Sequence, residues 1–183
     1  MTKIEWFFEF AKVAALKSKD RSTKVGCVIV GPDDEIRSVG YNGFVRRAND
    51  TIPEWHERPL KYDVTAHAEE NAVSNAARIG VSLKDCVAYS TLPPCTCCTR
   101  MFVQSGVKTI RFLVPLENKS WDERWGDNFR IALTIMRSGK VVYNGYSGLW
   151  LPGPGLLIDS KFSEVQAWIS RYEGSTERQL KLI

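Results

Sequence analysis

The sequence predicts an α/β fold: three layers, in which a mixed, mostly parallel five-stranded sheet is covered by helices on both faces. Three observations predict it. Segments with helical apolar spacing and short β-branched runs follow one another in the order αββαβαβα, with one further strand at the end. The length of 183 residues suits one compact domain with an appendage better than two independent cores. Hydrophobic residues at 44% and charged residues at 25% match ordinary globular composition, which excludes a disordered or low-complexity chain.

In residues 3–18, Ile4, Phe7, Phe8, Ala11 and Ala15 lie on one helical stripe. A second stripe of Trp6, Phe10 and Val13 makes this helix apolar on more than one side, so a deeply packed helix is expected in preference to an oligomer contact. Residues 25–30 form a β-branched run, and the turn Gly31-Pro32-Asp33-Asp34 leads into residues 36–41, a hairpin pattern. Residues 42–64 hold Pro53 and Pro59 and show no period, which marks a long loop of the kind that carries function. An alanine-rich helix over residues 66–79, with Ala72, Val73, Ala76 and Ala77 in register, stops at Gly80. A strand over 86–91, a helix over 94–104 opened by Pro94 and stopped near Gly106, and a strand over 109–114 follow.

Trp121, Trp125, Phe129, Ala132, Leu133 and Met136 make the stripe of the next helix, which stops at Gly139, and that stripe assigns both tryptophans to the core. Val141-Val142-Tyr143 adds a last strand and closes a domain over residues 1–144. From Gly145 the character changes. Gly148, Pro152, Gly153, Pro154 and Gly155 punctuate an irregular stretch before Phe162, Val165, Trp168 and Ile169 mark a short helix. Residues 145–183 are therefore expected as an appendage, and Leu149, Trp150, Leu151, Leu156, Leu157 and Ile158 require it to pack on the core or on another subunit.

A balance of 25 Lys+Arg against 21 Asp+Glu, net +4, falls short of the basic stripe that marks a nucleic-acid binder and leaves small anionic ligands open. No apolar run approaches the roughly 18 residues of a membrane span. Met1-Thr2-Lys3-Ile4-Glu5-Trp6 carries an acid where a signal peptide is apolar, so a soluble, unexported, cytoplasmic protein is expected. The cysteine count is 5, and Cys95, Cys97 and Cys98 crowd together, which suits reduced thiols and a metal better than a disulfide framework.

One of the 2 histidines stands in His67-Ala68-Glu69 at a helix start, and Pro94-Cys95-Thr96-Cys97-Cys98 opens another helix. Cys95 and Cys98 share a helix face, and a helix N-terminus favours the thiolates that zinc requires. One imidazole and two thiolates leave the fourth tetrahedral position open, the pattern of catalytic zinc. A closed structural site needs a fourth ligand. Cys97 points about 100° around the helix, Cys27 and Cys86 sit in apolar strand runs that read as core, and His56 in the long loop is the competitor. Glu69 beside the ligand set favours catalysis.

His-x-Glu with Pro-Cys-x-x-Cys is the signature of zinc-dependent nucleobase deaminases. The chain resembles the cytidine/deoxycytidylate deaminase family over about residues 3–143. The resemblance rests on the stretch from Asp20 to Val25-Gly26-Cys27, on Gly40-Tyr41-Asn42-Gly43, on His67-Ala68-Glu69-Glu70-Asn71-Ala72 and on Pro93-Pro94-Cys95-Thr96-Cys97-Cys98. The Tyr-Asn-Gly segment and the long loop after it resemble the deoxycytidylate branch. The resemblance implies a cytidine deaminase-like fold and one catalytic Zn2+ per subunit on His67, Cys95 and Cys98. It further implies hydrolytic deamination of dCMP to dUMP with release of ammonia, supplying precursor for thymidylate synthesis. Zinc lowers the pKa of water from about 15.7 to about 7, the resulting hydroxide attacks C4 of cytosine, and Glu69 shuttles protons to N3 and to the departing amine. Glu70 is expected to be inert.

By the same resemblance Asn42 contacts the sugar and the base, and Ser22, Thr23 and Lys24, with Arg21 beside them, lie near the phosphate. Arg46 and Arg47 offer equivalent donors. The family's Tyr-Asn-Gly-x-Pro reads Tyr41-Asn42-Gly43-Phe44-Val45 here, and the glycine that often follows is replaced within Arg46-Arg47-Ala48. That glycine-rich loop helps bind dCTP as activator and dTTP as inhibitor in regulated members, so its alteration argues against such allosteric control here. The family commonly forms homo-oligomers. Three other functions stay open: deamination of another cytosine nucleoside or nucleotide (dCTP, CMP, cytidine), deamination of a base within RNA or DNA, and a non-catalytic zinc-stabilised interaction module.

Overall fold

The computed structural model describes residues 1–116, 118–147 and 162–173. Helix α1 (Lys3–Ala15) opens with a capping box, in which the Thr2 hydroxyl accepts the Glu5 N–H and the Glu5 carboxylate accepts the Thr2 N–H. Strands β1 (Gly26–Val30) and β2 (Ile36–Tyr41) pair as the expected antiparallel hairpin. The aperiodic stretch after them is built from pieces too short to show a period. These are β3 (Gly43–Phe44), a single 3-10 turn (Pro53–His56), α2 (Lys61–Val64) and β4 (Thr65–Ala66), with β3 and β4 paired antiparallel. Helix α3 (Ala68–Ile79) ends at Gly80, whose φ of +76° supplies the left-handed cap. Then come β5 (Val87–Ser90), α4 (Thr96–Gln104), β6 (Thr109–Val114), α5 (Lys119–Ser138), β7 (Val142–Ser147) and α6 (Phe162–Glu173).

The main sheet runs β2-β1-β5-β6-β7. Strand β1 is antiparallel to both neighbours while β5, β6 and β7 are mutually parallel, so every strand except β1 points the same way and the sheet is mixed and mostly parallel. Cys27 and Ile29 of β1 face the larger core beneath α3 to α6, and Val28 and Val30 face a smaller one under α1. Helices thus cover both faces of the sheet, unequally.

That inequality corrects the expectation for α1. Phe7, Phe8 and Ala11 are buried against the sheet, but Trp6, Phe10 and Val13 are 41%, 39% and 61% exposed. A helix lying alone on a sheet face has contact along one side only, and among the described residues nothing covers its back. Gly40 sets the fit on the other face: a Cβ there would meet Ala68 O at 2.1 Å, so the first turn of α3 rests directly on the β2 backbone.

Strand β7 runs on through Gly145 and stays paired with β6 to Ser147, so the change of sequence character at Gly145 falls inside a strand. Helix α6 buries Val165, Trp168, Ile169 and Tyr172 in the larger core, with the Trp168 ring 5.4 Å from Trp121 and 5.3 Å from Phe129. The apolar stretch from Leu149 to Ile158 lies outside the described residues. Among the described residues no helix is long and apolar enough to cross a membrane.

Candidate active site

The carboxyl ends of β2, β5, β6 and β7 border one cavity of about 760 Å3, lined by Asn42, Thr91, Pro115 and Ser147 among others. Ligands of open α/β sheets bind in this position. His67 stands at the N-cap of α3 and Cys95 at the N-cap of α4. Two helix N-termini therefore meet at one point, and their partial positive charges favour thiolate there.

His67, Cys95 and Cys98 place their donor atoms within 4.8 Å of one another, with Nδ1 of His67 at 3.4 Å from Cys95 Sγ and 3.5 Å from Cys98 Sγ. Zinc–sulfur and zinc–nitrogen bonds of about 2.3 and 2.1 Å meeting at a tetrahedral angle put nitrogen and sulfur about 3.6 Å apart, so this donor set fits zinc. Hydrogen bonding to Cys98 and His67 outweighs burial and holds the Cys95 thiol at about 4, well below the ordinary thiol range. The pairing with Cys95 raises His67 to about 9, while the bond to Cys95 and burial push Cys98 up.

Among the described residues no fourth His, Cys, Asp or Glu joins the group. Cys97 is exposed, and Cys27 and Cys86 are buried elsewhere. His56 is turned away: its Nε2 lies 2.8 Å from Asp50 O and its ring packs on Phe44 at 5.0 Å.

Glu69 is 4% exposed and Ser90, at the end of β5, is 0% exposed. The Ser90 hydroxyl donates to Glu69 Oε1 at 2.8 Å, and Oε2 lies 3.7 Å from Cys98 Sγ. Burial pushes the Glu69 carboxyl above its ordinary value, so it can hold a proton where a surface glutamate would not. Glu70 has its own task, since its carboxylate accepts the His67 backbone N–H at 3.3 Å and fixes the start of α3.

The residues assigned to the nucleotide's sugar and phosphate line the same cavity, but the Asn42 amide, the Ser22 hydroxyl and the backbone N–H groups of Ser22 and Thr23 are already engaged. Asn42 Oδ1 accepts the Val25 N–H at 2.8 Å, and its Nδ2 donates to Thr23 O at 2.9 Å and to Asp20 Oδ2 at 3.2 Å. Asp20 Oδ1 accepts the backbone N–H groups of Ser22 and Thr23 at 2.7 and 2.9 Å and the Lys61 ammonium at 2.7 Å. The Ser22 hydroxyl is bonded to Asp20 and Lys61 as well. A carboxylate thus already fills the turn expected to receive a phosphate, and Lys24 remains exposed on the cavity wall.

Asp20 and Lys61 are 5% and 11% exposed in their side chains, so the pair is buried. Burial works against the Asp20 charge, but the Lys61 ammonium and the Thr23 and Ser22 N–H groups together hold its pKa below the ordinary carboxylate value. The native state therefore binds fewer protons than the unfolded chain around pH 3.9 and below, and stability rises with pH through that window. Asp20→Asn is expected to cost about 3 kcal/mol at pH 7, because Lys61 is left buried without its partner. The deficit should shrink as pH falls from about 5 through the folded pKa, where wild-type Asp20 is neutral too. Urea unfolding at a series of pH values checks this, and a deficit that does not change with pH would contradict it.

Trp121 is buried in the core as expected although it also borders the cavity, and Trp125, half-buried, packs on the core and lines the cavity, its ring 5.9 Å from His67 and 5.8 Å from Tyr62. Both stand on one helical stripe, and periodicity alone does not show where the core ends and the cavity begins. Arg58, Lys61, Tyr62 and Arg124 also line the cavity, and no motif marks them. Arg46 and Arg47 do not line it. They border a second cavity of about 540 Å3 with Lys19, Phe44, Trp55 and Arg78, which shares Asp20, Asn42 and Lys61 as a wall with the first.

Residues 1–114 match the family model of the cytidine and deoxycytidylate deaminase zinc-binding region. Over 116 residues the chain is 43% identical to a probable deoxycytidylate deaminase of Caenorhabditis elegans, covering 62% of this chain and 58% of that one. It is 32% identical over 114 residues to the deoxycytidylate deaminase of Homo sapiens, covering 60% and 63%. An uncharacterized deaminase of Aliivibrio fischeri is 33% identical over 146 residues, covering 80% and 91%. The chain thus spans less than two thirds of the length of the worm and human relatives. The crystal structure of a dCMP deaminase from the cyanophage S-TIM5 superposes with a TM-score of 0.59 at 21% identity, over 78% of this chain and 95% of that one, a likeness of fold.

Proposed function

The chain belongs to the cytidine and deoxycytidylate deaminase family, and from that premise we propose that it hydrolyses dCMP to dUMP and ammonia, supplying precursor for thymidylate synthesis. One observation carries the reading: a buried carboxyl, Glu69, beside a zinc-binding donor set with no fourth protein ligand among the described residues, at the floor of a cavity large enough for a nucleotide. Zinc held by His67, Cys95 and Cys98 would supply a water-derived nucleophile at neutral pH. Glu69 gives N3 of the ring the proton it needs as C4 is attacked, takes up the proton of the new C4 hydroxyl as the carbonyl forms, and passes it to the departing amine. Ser90 fixes the carboxyl through Oε1 and leaves Oε2 for that transfer. Trp125 and Tyr62 offer the base an aromatic wall, and Asn42 keeps the loop of residues 20–25 in place beside the sugar.

A second reading, deamination of a cytosine within single-stranded nucleic acid, gains from Arg21, Lys24, Arg58 and Arg124 gathering with Trp125 and Tyr62 around one cavity. Ammonia release from deoxycytidine, dCMP, dCTP, CMP and single-stranded DNA tests both. Preference for dCMP supports the main reading, and activity on DNA alone replaces it. A non-catalytic zinc module would release ammonia from none of them.

The basic second cavity suits a triphosphate effector such as dCTP or dTTP, and the exposed stripe of Trp6, Phe10 and Val13 suits a homo-oligomer contact. Five free cysteines belong with a reducing, cytoplasmic setting.

A further inference from the structure

Arg58 and Arg124 come from distant parts of the chain and line the same cavity. Arg58 Cζ stands 5.8 Å from the centre of the Tyr62 ring. Burial works to raise the Tyr62 phenol, but the charges of both guanidinium groups reach it and help to hold it below its ordinary value, while Arg124 is anchored on its own helix by donating Nε to Ser120 O at 2.8 Å. Holding two guanidinium groups around one ring costs Coulomb energy. Among the described residues neither has a carboxylate at ion-pair distance, whereas Lys61 beside them is neutralised by Asp20. An anion arriving between the two arginines relieves that repulsion.

Their place in the cavity gives the anion its identity. Tyr62 meets Trp125 at 5.8 Å and Trp125 meets His67 at 5.9 Å, so the guanidinium pair lies two ring steps from the zinc-binding donor set. The competing grip, the Ser22–Thr23 turn, already holds the buried Asp20 carboxylate, which a phosphate would have to expel. Guanidinium forks match phosphate oxygens in pairs, which a single lysine does not.

We propose that Arg58 and Arg124, braced by Tyr62, grip the 5′-phosphate of the nucleotide and thereby select a monophosphate over a free nucleoside. The proposal rests on the deaminase reading above and names the residues that set its substrate.

Calorimetric binding of dUMP and of deoxyuridine to the zinc-loaded protein tests it without relying on turnover. Wild type should bind dUMP at least about tenfold more tightly than deoxyuridine, and Arg58→Gln and Arg124→Gln should each cut that ratio by about tenfold while leaving deoxyuridine binding unchanged. Lys108→Gln, on the exposed surface, should keep the wild-type ratio. An unchanged ratio in both arginine variants, a ratio that falls only in Lys24→Gln, or a wild type indifferent to the phosphate would overturn the proposal. Ammonia release from dCMP is scored separately: a protein that binds dUMP through these arginines and releases none keeps the phosphate grip and loses the deaminase reading.

Discussion

Glu69→Gln protein is expected to retain zinc and fold while its turnover of dCMP falls by about a hundredfold to ten-thousandfold, the range that a positioned general acid–base contributes. The substitution is nearly isosteric. Glutamine keeps an oxygen for the Ser90 hydroxyl, which now donates to Glu69 Oε1 at 2.8 Å, so the packing of a side chain only 4% exposed is preserved. What disappears is a carboxyl, held by burial above its ordinary pKa, that can both give and take a proton. Metal content by elemental analysis and thermal unfolding should match wild type. Normal turnover in this variant would show that another group moves the protons.

Cys98→Ser is expected to lose both metal and activity. Cys98 is 1% exposed and its Sγ lies 3.5 Å from His67 Nδ1, so a hydroxyl there replaces a soft ligand with one that does not ionise near neutral pH. The loss of activity should exceed the roughly 100-fold that removing a supporting residue around a metal costs. In wild type, zinc at a thousandfold excess over its Kd should stabilise the fold by about 4 kcal/mol, and this increment should vanish in Cys98→Ser. Cys97→Ser, altered at an exposed thiol, should keep metal, stabilisation and activity. Equal zinc retention by Cys98→Ser and wild type would remove Cys98 from the ligand set.

The reacting end of the site was legible in the sequence because its residues are local. His67 and Glu69 share the first turn of one helix, Cys95 and Cys98 share the first turn of another, and their spacing alone limits what they can hold. The order of the longer strands and helices followed from periodicity in the same way, whereas β3, α2 and β4 are too short to show a period.

The binding end was hidden because long-range folding assembles it. Asp20 and Lys61 are 41 positions apart in the chain and meet only when α2 closes over the loop of residues 20–25. The Ser22 and Thr23 N–H groups that the sequence offered to a phosphate are taken by Asp20 within the same turn, and Lys61 supplies the countercharge beside that carboxylate. Arg58 stands in an aperiodic loop and Arg124 on the helix of Trp125, and no local pattern joins them. The outer stripe of α1 misled for a related reason: burial depends on how many layers lie above a helix, which its own sequence does not record.

Conversion of dCMP in heavy-oxygen water, followed by mass spectrometry of the dUMP formed, tests the central claim most directly. The account predicts one solvent oxygen at C4 of every product molecule, with ammonia released in equal amount. Unlabelled dUMP, or no dUMP from zinc-loaded protein, would contradict it.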